Sequence, residues 1–318
     1  MARMDLRVRV LGRLLGRVSI SSMDEQRLRR AQHQSIGHNP VTDLLLDGVA
    51  RGVRLTDGTA RGEVGPVPVR TYRPQGADGG PLPLVVHFHG DGWTLGNLDS
   101  GDWPCSNVAA SVGAVVVSVD YRLAPGHRWP AAAEDCYAAL VDVVGRAAEH
   151  GVDPARVAVM GDSAGGNLAA VVSLMARDRS GPAIAHQGLV YPSVDLTMSG
   201  PSIEENASAP ILTEADCLAF RDHYLGGHDP RQPYASPLFA EDLTGLPSAL
   251  VQVAEHAPIR DDGTRYAAAL RRAGVPVRLT EYVGMPHGFL AFPRLCRSAP
   301  QAPAELCAEQ ARVLAGRG

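Results

Sequence analysis

An α/β architecture is the fold class that this chain predicts: a mostly parallel, doubly wound sheet of eight strands with a helical cap. Three observations carry that expectation. Short apolar runs rich in Val alternate with helical stretches, the pattern of strands buried on both faces by helices. The alternation breaks over residues 199–235 and then resumes, which reads as an insertion. One buried run, 157–160, passes through Gly161-Asp162-Ser163-Ala164-Gly165-Gly166 directly into a helical stretch.

Taken in order, residues 1–48 carry apolar residues at helical spacing (Leu11, Leu14, Leu15, Val18) and no strand pattern. Runs 53–55 and 67–72 suit an opening antiparallel pair. Runs 84–88, 114–119, 157–160 and 189–191 suit the parallel strands, with helices near 99–112, 131–149 and 165–178. The insertion contains Pro201, Pro210, Pro230 and Pro233 and one helical piece near 213–224. Strand runs at 249–253 and 277–282 follow, with helices near 260–273 and 303–315. The expected organisation is one domain spanning 1–318. Its core covers about 50–198 and 236–318, and its cap about 1–48 and 199–235.

Composition removes several function classes. A net charge of −4 over 318 residues and a pI near 6.3 argue against a nucleic-acid partner. All 30 basic residues are Arg, read here as coding bias. The five cysteines are odd in number and widely spaced, with no metal-ligand pattern, so reduced thiols in a cytoplasmic protein are expected. Arg13 and Arg17 interrupt the N-terminal apolar run, which therefore lacks a signal-peptide core. No run of 18 apolar residues predicts membrane insertion. No dinucleotide or phosphate-binding loop is present, so no cofactor is implied.

The strand–turn–helix at 157–166 matches a nucleophile elbow around Ser163. Such a turn strains the serine so that its hydroxyl projects above the sheet, and glycine is needed where strand and helix approach closely. The helix start behind Ser163 favours developing negative charge. After the run 84–88 comes His87-Phe88-His89-Gly90-Asp91-Gly92-Trp93, and further on Asp120-Tyr121-Arg122-Leu123-Ala124-Pro125. With Ser163 and Gly284-Met285-Pro286-His287-Gly288, these segments resemble the hormone-sensitive-lipase-like carboxylesterases of the α/β-hydrolase fold over roughly residues 50–295.

That resemblance implies roles. The family reads His-Gly-Gly-Gly-Trp where this chain has His89 to Trp93, and its second and third glycine amides bind the oxyanion. The corresponding donors here are Asp91 and Gly92, joined by the amide of Ala164. Asp91 departs from the pattern. Its Cβ resists the backbone angles that glycine accepts, and an ionised carboxylate would repel the oxyanion unless it turns to solvent or pairs with an arginine. His287 follows the last strand, where this fold places its general base.

The acid is missing from its expected place. The family's first Asp after the penultimate strand corresponds to Ala257 in Ala254-Glu255-His256-Ala257-Pro258. Three explanations stand open. Ala257 is a deliberate replacement of the acid, another carboxylate substitutes (Asp195, Asp261 or Glu255), or the protein no longer hydrolyses esters. The leading expectation is a carboxylic ester hydrolase acting on small acyl esters. Trp93 and Tyr191 are candidates to line its acyl or alcohol pocket, with core packing as their alternative role. A lyase or cyclase on the same scaffold, using Asp91, and a ligand-binding pseudoenzyme are the alternatives. A homodimer joined along strand 277–282 is a further expectation from the resemblance.

Overall fold

The computed structural model describes residues 4, 19–32, 48–77, 80–292, 296 and 298–315. The expected helix around Leu11, Leu14, Leu15 and Val18 lies outside them. Eight strands form one sheet in the order β1-β2-β4-β3-β5-β6-β7-β8. They are β1 (Val53–Arg61), β2 (Pro66–Pro74), β3 (Leu82–Phe88), β4 (Val115–Val119), β5 (Val152–Asp162), β6 (His186–Val190), β7 (Ser248–His256) and β8 (Val277–Pro286). β2 runs antiparallel to both β1 and β4, and the remaining pairs are parallel.

The Val-rich runs have two apolar faces because helices cover both sides of the sheet. Leu84, Val86 and Phe88 of β3 join Val115, Val117, Val157 and Val159 in one core, closed by Leu140, Leu168 and Tyr266 from helices Ala131–Gly145, Ala164–Asp178 and Arg260–Arg272. Alternate residues Val85, Val116, Ala158 and Met160 face the other core, closed by Cys105 and Val108 of helix Asp102–Val112 and Leu306 of helix Gln301–Leu314. β1 extends well beyond the apolar run 53–55. It is an edge strand, so Thr56, Asp57 and Thr59 remain exposed and carry no apolar signal.

The insertion contains helix Glu214–Leu225, started by a capping box between Thr213 and Asp216 and stopped by Gly226 at φ 59°. The short turn Ile20–Ser22 packs on this helix. There Ser19 donates its hydroxyl proton to Asp216, and the Ser21 amide donates to the same carboxylate at 3.2 Å. The following helix, Glu25–Gln32, ends with the Gln32 amide donating to Thr94 O (2.9 Å) and Ala124 O (2.8 Å). Residues 19–32 are thereby tied both to the insertion and to the loop after β3. All five cysteines are buried and free of disulfides. Among the described residues no helix is long and apolar enough to cross a membrane, and no cluster of His, Cys, Asp and Glu could hold a metal.

Candidate active site

β5 leads into Ser163, whose φ of 53° and ψ of −116° lie outside the regions open to most L-residues. Three contacts hold the strain. The Ser163 amide donates to Val190 O at 2.9 Å, and Asn167 N and Ser193 N donate to Ser163 O at 3.0 and 3.3 Å. The flanking glycines are required by contact. A Cβ on Gly165 would sit 1.9 Å from Phe88 O, and one on Gly161 would sit 2.3 Å from the Gly165 backbone. Asn167 fixes the helix to its surroundings by donating to Ser193 O (2.7 Å) and Ala235 O (2.8 Å), a role the sequence alone did not reveal.

His287 Nε2 lies 2.9 Å from Ser163 Oγ. The ring is 6% exposed, and burial lowers its pKa to about 3. Among the described residues no charged group opposes that shift. On the other side of the ring, Nδ1 is buried without a hydrogen-bond partner among the described residues.

The sheet explains why. The β7–β8 ladder pairs His256 with Pro286, so residues 257 and 287 leave neighbouring strands side by side. The residue at the first of these places is a fully buried alanine. The three stand-in carboxylates suggested by the sequence are engaged elsewhere, and none bonds to His287. Asp195 is fully buried and accepts from Thr197 N, Ser199 Oγ and Arg265 Nη1 at 2.9, 2.6 and 2.7 Å. Asp261 accepts from Ser202 N and Arg260 Nε, both at 2.9 Å. Glu255 accepts from Gly284 N at 2.8 Å. A further carboxylate, Asp262, is turned toward the backbone amides of Val194 and Asp195, both at 3.0 Å.

The loop after β3 supplies the third part of the site. Asp91, Gly92 and Trp93 all have positive φ, at 68°, 63° and 56°. Their left-handed run turns the chain over the end of β5. Neither the Asp91 nor the Gly92 amide donates to a described backbone carbonyl, and Ala164 opens the helix behind Ser163. The expected resistance of a Cβ at position 91 is therefore met by strain rather than avoided. Tyr121 holds the base of the loop by stacking on His89 (4.2 Å between centroids) and donating to His89 O at 2.8 Å. Over Gly92 sits Phe220 of the insertion, where a Cβ would come within 2.1 Å of the phenyl ring.

Among the described residues the Asp91 side chain pairs with no arginine, and the residue is exposed. It lines an open cavity beside Ser163, and desolvation there raises its carboxyl pKa. Asp162, beside Ser163, is raised to about 7, first by burial and second by the neighbouring Asp91. Its carboxylate lies 3.5 Å from Tyr191 Oη. The cavity holds about 670 Å³ and is walled by Ser163 and His287 on the sheet side and by Ile20, Leu212 and Phe220 on the other. Trp93 and Tyr191 both line it. Trp93 also packs in the core, stacked on Tyr224 at 4.4 Å, and the Tyr191 ring lies 4.7 Å from His287.

The chain is similar to known proteins along most of its length. The family described as alpha/beta hydrolase fold matches residues 85–291. The esterase LipI of Mycobacterium tuberculosis is 43% identical over 264 residues, covering 82% of each chain. The carboxylesterase NlhH of the same organism is 44% identical over 252 residues, covering 78% of this chain and 79% of its own. Among solved structures, the hyperthermophilic esterase of the archaeon Pyrobaculum calidifontis superposes with a TM-score of 0.87 at 36% identity. That match covers 99% of this chain and 100% of the other.

Proposed function

We propose, from the premise that this chain belongs to the α/β-hydrolase fold family, that it is a carboxylic ester hydrolase working through an acyl-enzyme on Ser163. The contact of 2.9 Å between His287 Nε2 and Ser163 Oγ, on the wall of a cavity, carries the reading. His287 is neutral at working pH and takes the serine proton as Oγ attacks the acyl carbon. The carbonyl oxygen becomes an oxyanion under the amides of Asp91, Gly92 and Ala164, each such donor contributing about 3 kcal/mol. The imidazolium returns its proton to the departing alcohol, and water, activated by the same ring, releases the acid.

Without an acceptor at Nδ1, the site works as a Ser–His pair. The lyase and receptor readings draw no support from it, since nucleophile and base are in bonding contact. A cavity of about 670 Å³ suits small acyl esters of the kind expected of hormone-sensitive-lipase-like enzymes. The five reduced cysteines fit a cytoplasmic setting. The unpaired edge of β8 is the face along which a homodimer would add strand to strand.

The test is hydrolysis of p-nitrophenyl acetate and butyrate with Ser163→Ala as the blank, together with mass spectrometry of the quenched enzyme. Turnover with an acyl adduct on Ser163 supports the reading. Rates no faster than the blank would sink it.

A further inference from the structure

The cavity has an unusual charge balance, and this inference about its substrates rests on the esterase reading. Among the described residues its lining includes four carboxylates, Asp91, Asp99, Asp162 and Asp216, and neither Arg nor Lys. His87 and His287 also line it, and burial keeps both neutral, with pKa values of about 3. Three of the carboxylates are occupied. Asp99 pairs with Arg70 at 2.9 Å, whose charge is shared with Asp57 and Asp102. Asp216 takes the Ser19 hydroxyl, the Ser21 amide and the Thr213 cap. Asp162 lies beside Tyr191 and holds a proton near neutrality. Asp91 has no ion-pair or side-chain hydrogen-bond partner among the described residues. Aromatic side chains also line the cavity, among them Trp103, Tyr191 and Phe220.

We propose that Asp91 makes this cavity selective for esters carrying a cationic amine or quaternary ammonium within a few bonds of the scissile carbonyl. The residue has two ends that act together. Its amide serves the oxyanion, and its carboxylate pairs with the substrate's cation. That pairing removes the repulsion that an ionised Asp91 would otherwise exert on the developing negative charge, so the cation helps more in the transition state than in the ground state. Aromatic walls add attraction for the same charge. An anionic ester meets repulsion and no counter-charge.

The experiment uses the full chain and an isosteric pair, acetylcholine and 3,3-dimethylbutyl acetate, which differ by one charge and hardly in shape. We expect kcat/KM to favour acetylcholine by about tenfold or more. The ratio should fall toward unity in Asp91→Asn, since Asn keeps the volume and tolerates positive φ. A wild-type ratio near one, or a ratio unchanged in the variant, overturns the proposal while leaving the esterase reading intact. If neither ester nor p-nitrophenyl acetate is turned over, the esterase reading fails separately. Selectivity is then read by binding, following tryptophan fluorescence as choline or 3,3-dimethylbutanol is titrated. Tenfold tighter binding of choline, lost in Asp91→Asn, supports the cation site, and equal binding refutes it.

Discussion

Replacing Ala257 with aspartate tests the whole construction of the site. The β7–β8 register sets residue 257 beside His287, whose Nδ1 has no partner. Burial lowers the ring from 6.5 to about 3, a cost of about 5 kcal/mol for forming the imidazolium that acyl transfer requires. A carboxylate at 257 would accept the Nδ1 proton and stabilise that cation. If it restores the ordinary pKa, the barrier falls by a comparable amount, consistent with the factor of about 10⁴ lost when a serine protease loses its acid. We expect Ala257→Asp to raise kcat/KM for p-nitrophenyl acetate by about 10³ to 10⁴. Ala257→Asn, which can accept the hydrogen bond but carries no charge, should raise it far less. The pH profile supplies a second readout. The base must be neutral to act, so the acid limb, below about pH 4 in the parent, should move up toward pH 6 or 7 in Ala257→Asp. Burying a new carboxylate costs stability, so circular dichroism and Tm must show a folded variant. A folded Ala257→Asp protein with unchanged kcat/KM, or one no better than Ala257→Asn, would refute the account of the missing acid.

Other outcomes follow from the same geometry. Asp162 is raised from 3.8 to about 7, so between those values the folded state retains a proton that the unfolded chain has lost. Its contribution therefore falls as pH rises through that window, by at most about 4 kcal/mol. Asp162→Asn should raise Tm at pH 8 and leave it nearly unchanged at pH 3.5, and equal shifts at both would contradict the assignment. Gly92→Ala should lower kcat/KM, because its Cβ would overlap Phe220. Phe220→Ala should partly restore activity in the double variant, and strictly additive losses in the cycle would show that the overlap is not the cause. Gly165→Ala should be destabilised by several kcal/mol or fail to fold, since the overlap is with the Phe88 carbonyl, which cannot move aside; a Tm close to the parent's would disprove this.

Much of the fold was legible because its signals are local. Valine runs of strand length between helical periods marked all eight strands, and the elbow glycines marked Ser163. Strand ends were less legible where burial stops, as in the exposed half of β1. His287 was found from its motif, and the missing acid at Ala257 from the resemblance of Ala254–Pro258 to the family's motif. The engagements of Asp195, Asp261 and Glu255 could not be read in advance. They depend in part on distant groups, the Ser202 amide 59 residues from Asp261 and Arg265 70 residues from Asp195. The same holds for Asn167, Tyr121 and Phe220. Their types are ordinary, and only tertiary contact gives them work at the site. Asp91 was visible as a departure from a glycine motif, but its orientation into the cavity was not.

The contact between Phe220 and Gly92, with the stacking of Trp93 on Tyr224, joins two parts of the chain that are far apart in sequence. Helix Glu214–Leu225 belongs to the insertion, whereas the amides at 91 and 92 belong to a loop of the sheet. Because one rests on the other, the order of the helix and the aim of the donors form a single equilibrium. Linkage makes that relation reciprocal. Whatever secures the helix should sharpen the donors, and a bound oxyanion mimic should in turn slow amide exchange in the helix. Affinity for the transition state is thus stored partly in a segment that never touches the reacting atoms.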